Sequence, residues 1–155
     1  MRERFAKSVL LLLGSGLVTA APAHADTKAS AIASCGASAG MAYWAEVAHP
    51  QWSPDTIRGG SYTFSADDQG KIHVYFKDAT GQTIDAEEDG ALVQVLSVRS
   101  ELGAFSVLVS YADAGVAETY SVVRLPDGKR KLLWTQARMG WGQPAKVSSF
   151  VADCD

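Results

Sequence analysis

The chain has 155 residues, 14 of them basic and 17 acidic, with 47% apolar and 9% aromatic content. That length gives one domain with room for a real core, and is short for a multi-part enzyme. A net charge of −3 argues against nucleic acid or an anionic membrane as the main partner, and the lack of any Asn excludes N-glycosylation.

The first 25 residues read as a secretory signal peptide. Arg2, Arg4 and Lys7 give a positive start, Val9 to Val18 is an uncharged run, and Ala23-His24-Ala25 offers a small-x-small cleavage site before Asp26. The run is about half of what a bilayer span needs. Glu3 separates Arg2 from Arg4, so there is no twin-arginine pair. The expectation is a single exported β domain over 26–155, periplasmic or secreted. Without Arg2, Arg4, Lys7 and Glu3 it keeps 11 basic and 16 acidic residues. No second apolar stretch approaches membrane-spanning length.

Residues 26–59 are expected to form a helix and a loop. The stretch from Thr27 to Ala48 is rich in Ala, Ser and Gly and lacks Pro, which predicts a helix over about 29–47. Gly36 and Gly40 weaken it by up to about 1 kcal/mol each, and they would let it lie close against a sheet. His49-Pro50 ends it, since a residue before proline avoids the α region. Residues 51–59 then make a loop.

From residue 60 onward, turn signals recur at near-even spacing, at Gly70, Gly81, Gly90, Gly103, Gly115, Gly128 and Gly140. Such spacing is that of an antiparallel meander. Strands are predicted over 60–66, 71–77, 91–99, 104–111, 116–125, 129–138 and 145–154. Ile72, Val74 and Phe76 alternate with His73 and Lys77, and Phe105, Val107, Val109 and Tyr111 with Ser106 and Ser110. Residues 91–99 carry apolar side chains on both faces, which predicts a strand that is central or covered on both sides. The predicted fold is mainly β, with the helix packed on or plugging a seven- or eight-stranded up-and-down meander. Closure into a small barrel would leave no exposed edges. This organisation is similar to the up-and-down barrels of the lipocalin group, without a lipocalin motif. Val151-Ala152-Asp153-Cys154 resembles the end of small periplasmic lysozyme inhibitors, whose serine-glycine loop motif the chain lacks.

Cys35 and Cys154 are the two cysteines, and in an oxidising compartment they read as a disulfide. The rival reading takes Ile32-Ala33-Ser34-Cys35 as a lipobox with Cys35 lipidated. Asp26 and Lys28 interrupt that segment, and Cys154 would be left unpaired.

Several motifs are weighed and set aside. Gly36-Ala37-Ser38-Ala39-Gly40 matches G-x-S-x-G, but no apolar strand precedes it. Asp85 to Gly90 begins like a calcium loop, yet its twelfth position is Leu96. His49 and His73 have no nucleophile or orienting acid near them in sequence, and no spacing suits zinc. Arg124, Lys129, Arg130 and Lys131 read as a charged hairpin tip. No catalytic, metal or cofactor-binding residue is nominated, and no cofactor is expected. Trp44, Trp52, Trp134 and Trp141, with five tyrosines, suffice to line a cavity or fill a core. Trp52 and Trp141 sit in Gly- or Pro-containing stretches and form the candidate binding surface. Trp44 and Trp134 are expected in the core. The expected function is a non-catalytic binding module for a small apolar ligand or an exported protein. The alternatives are an envelope-associated structural protein and, third, an enzyme of unknown type.

Overall fold

The computed structural model describes residues 30–140 and 144–155, so the expected signal peptide and Trp141 lie outside the described residues. Ten strands follow in chain order: β1 (Ser30–Trp44), β2 (Trp52–Ile57), β3 (Ser61–Ala66), β4 (Ile72–Lys77), β5 (Thr83–Asp85), β6 (Leu92–Arg99), β7 (Ala104–Tyr111), β8 (Val116–Arg124), β9 (Arg130–Arg138) and β10 (Lys146–Cys154). One 3-10 turn, Ser100–Leu102, joins β6 to β7. All seven spaced glycines have positive φ, from 58° at Gly103 to 92° at Gly81 and Gly90, as tight turns between strands demand.

The ladders are antiparallel, in the order β5-β4-β3-β1-β10-β9-β8-β7-β6, and the sheet curls into a half-barrel. The long β1 serves two partners on one side, β3 along Ser30–Cys35 and β2 along Ser38–Tyr43, while its other side pairs with β10. The order is therefore a meander whose first and last strands join, with its break between β5 and β6. No helix among the described residues is long and apolar enough to cross a membrane.

The expected N-terminal helix is a strand, and the reason is legible in the burial. Ala33 and Cys35 are buried, then Ser38 and Ala42, so the inward phase jumps by one residue where the register shifts between Cys35 and Ser38. A bulge inserts one residue and breaks the period-2 pattern. Gly40 lies directly across from Phe150 in β10, so its bareness serves strand-to-strand contact rather than helix-on-sheet contact. Residues 52–57, expected as loop, form β2, and β5 adds a short strand that carried no signal.

The second correction concerns β6. It is an edge, not a covered strand, and Leu92, Leu96 and Val98 are each more than half exposed. Its ladder to β7 also slips, between Val95 and Ser97.

The concave face holds the core. Phe64, Val107, Val109, Val122, Leu132 and Phe150 are fully buried there, each one residue in two along its strand. Phe64 meets Phe105 edge-on at 5.3 Å, and Trp134 stacks on Phe150 at 4.4 Å. Cys35 and Cys154 form a disulfide that staples β1 to β10. A sulfur so engaged is unavailable to a lipid.

Candidate functional site

One end of the concave face is not filled by aliphatic side chains. The alternation of β8 turns Glu118, Tyr120 and Val122 inward, and that of β9 turns Leu132, Trp134 and Gln136 inward. The β8–β9 register sets Glu118 opposite Gln136 and Tyr120 opposite Trp134. Two contacts follow directly. Tyr120 stacks on Trp134 at 5.6 Å and 24°, and the Gln136 amide donates to Glu118 Oε1 at 2.7 Å. The Tyr120 hydroxyl donates to Glu118 Oε2 at 2.6 Å. From across the half-barrel, Tyr62 of β3 brings its ring within 5.5 Å of Tyr120 and 5.6 Å of Trp134.

These side chains line a half-enclosed cavity of about 230 Å³, with Val74, Phe76, Val109, Ile84 and Ala86 completing its walls and Tyr111 and Asp89 at the same site. No Lys, Arg or His side chain pairs with Glu118 among the described residues. Its charge is felt by all three tyrosines. Burial first, then Glu118, pushes the Tyr120 hydroxyl well above the usual phenol range and raises Tyr62 likewise. Tyr111 is pushed up to about 12 by burial, then by Glu118, Asp89 and Asp85. The indole Nε1–H of Trp134 is buried and has no acceptor among the described residues. A second cleft, at the opposite end between β4 and the β6 edge, is lined by Ile32, Ile72, Val98 and Phe105 and carries no comparable polar group.

The residues singled out in the sequence fall elsewhere. Trp52 opens β2 on the convex face, half exposed, with its ring 5.9 Å from Tyr43. It lies on a strand rather than a loop. Trp134 is core; Trp44 is half-buried beneath the cations of Lys146, at 4.7 Å, and Arg138, at 5.4 Å. Lys146 is itself held by Asp55 at 2.7 Å. Ser38, the serine of the G-x-S-x-G match, sits in mid-strand with its side chain buried, not on a strand-to-helix turn. The acids of 85–90 are engaged locally: Asp85 accepts the Glu87 amide at 2.8 Å, and Glu87 pairs with Lys71. No cluster of three or more metal-ligating side chains exists among the described residues. In the basic patch, Arg130 donates to the Ile32 carbonyl at 2.7 Å and Lys131 pairs with Asp153.

The fold does bring His73 to acids and a serine. Its Nδ1 lies 3.1 Å from Glu87 and its Nε2 3.6 Å from Asp67, with Ser65 across the β3–β4 ladder. Ser65 Oγ is buried without a hydrogen bond, so it donates nothing to the imidazole, and carboxylates face both ring nitrogens. Nucleophilic catalysis needs the serine on one of those nitrogens.

Glu118 and Gln136 escaped the sequence reading. Their signal was a carboxylate and an amide beside the aromatic and aliphatic residues on the inward phase of two strands. Comparison of the chain with known protein families, with curated proteins and with solved structures finds no match.

Proposed function

We propose that the protein is an exported, non-catalytic binding module that takes a small ligand with an apolar body into the tyrosine-lined cavity. The observation that carries this reading is a cavity of about 230 Å³ combining aromatic walls with a few convergent polar groups. A cavity of about 150 Å³ is enough for benzene, so the fitting ligand is one ring with a short substituent. The cleft at the other end has Ser100 as its one polar side chain and no charged one. Export rests on the leader pattern and agrees with the disulfide, which is a bond of oxidising compartments.

Thermal shift and tryptophan fluorescence with a panel of single-ring compounds, neutral and charged, test the reading. Binding compounds should raise the melting temperature and perturb the fluorescence of Trp134. Ala86→Leu, which builds into the cavity wall, should abolish both effects while the protein stays folded. No response to any compound, or full binding by Ala86→Leu, overturns the reading.

A protein partner is the second reading, favoured by the unpaired β6 edge with Leu92, Leu96 and Val98 exposed and by Trp52 on the convex face. Trp52 belongs to this surface rather than to the cavity.

A further inference from the structure

We infer that the cavity selects a ligand bearing a positively charged nitrogen, set against Glu118 and the rings of Tyr62 and Tyr120. The inference deepens the proposed binding function and rests on it. Two features converge on this class of ligand.

The first is the state of Glu118. Both its oxygens are held by neutral donors, Tyr120 and Gln136, which fix the carboxylate in place without cancelling its charge. A carboxylate oxygen has two acceptor positions, so each keeps one for a further donor. The inner-face lysine of β10, Lys146, is committed to Asp55 and to the ring of Trp44 and is not the counter-ion.

The second is the wall. Aromatic faces carry a negative quadrupole; the rings of Tyr62 and Tyr120, 5.5 Å apart, line the cavity, while Trp134 is stacked between Tyr120 and Phe150. An ammonium or its carbon-bound analogue is attracted to such faces, and a carboxylate is repelled. Asp89 adds negative charge at the same cavity.

With the size of the cavity, these features make the ligand class a small aryl or branched alkyl amine.

Isothermal titration of the purified protein with three compounds of one shape tests this: 2-phenylethylammonium, 2-phenylethanol and phenylacetate. The ammonium should bind at least about tenfold more tightly than the alcohol, and phenylacetate should not bind. Glu118→Gln should collapse the ratio of ammonium to alcohol affinity to near one. Where that variant does not fold, the wild-type ratio decides alone, and Asp89→Asn should reduce the ratio part of the way. An alcohol bound as tightly as the ammonium overturns the charge assignment and leaves the cavity reading standing. Binding of none of the three overturns both.

Discussion

At Gly40 a side chain would have nowhere to go. A Cβ built there overlaps the Ser149 carbonyl oxygen and lies 2.7 Å from Phe150 Cα, both backbone atoms of β10 that cannot swing aside. Gly36, four residues earlier in the same strand, has nothing within 4 Å of its Cβ position. The pair separates the two secondary structures this segment invites. In a helix both Gly→Ala changes would stabilise. In the strand observed, Gly40→Ala should cost about 3 kcal/mol or more by overpacking, and Gly36→Ala should stay within about 0.5 kcal/mol of wild type. Urea denaturation of the two variants measures both. The helical expectation arose because Ala, Ser and Gly carry little β preference, while what makes β1 a strand is its pairing with β2, β3 and the distant β10. Glu118 and Gln136 teach the reverse: polar residues on inward phases were a local signal that the reading passed over, whereas the arrival of Tyr62 from across the half-barrel was not a local property.

At the scale of elements, the seven strands with clear alternation and flanking glycines stand where the sequence places them, because period and turn are local properties. Edge and centre are not local. In β6, apolar residues on both faces suggested cover, yet the strand ends the sheet, and its inward Val95 and Val98 look out at the break beside β4. An apolar edge is an invitation to pair with another chain. Leu96→Lys, at the bulge and half exposed, should suppress association on heating while shifting stability by no more than about 0.5 kcal/mol. Val107→Asp in neighbouring β7 places an unpaired charge at a fully buried position and should unfold the domain. Light scattering and circular dichroism distinguish the two outcomes. Equal tolerance of both changes would contradict the assignment of β7 as core and β6 as rim.

For the whole molecule, titration gives a global test. Tyr62, Tyr111 and Tyr120 hold their protons more tightly folded than unfolded, where the phenol value is 10.0. Their contribution is fully present below that value and is lost as pH rises through it toward the folded values, about 12 for Tyr111. The melting temperature should therefore fall across that window, with tyrosinate absorbance rising in step with unfolding. On the acid side, backbone N–H donors in the hairpins at Asp67 and Asp78, with Thr80 Oγ1 leading at Asp78, hold those carboxyls below the ordinary 3.8, so their contribution is lost as pH falls below it. The joining of first and last strands has a further consequence, for the order in which the chain can assemble. Every ladder but β1–β10 links strands near one another in sequence, so the segment through β5 and the segment from β6 onward can each zip up as they are delivered. The β1–β10 ladder must wait for the final residues to arrive and must close a loop spanning 119 positions. With only two cysteines in the chain, oxidation has no wrong pairing to choose within one molecule. The bond locks the two halves once they have met, and its formation marks the moment at which they become one domain.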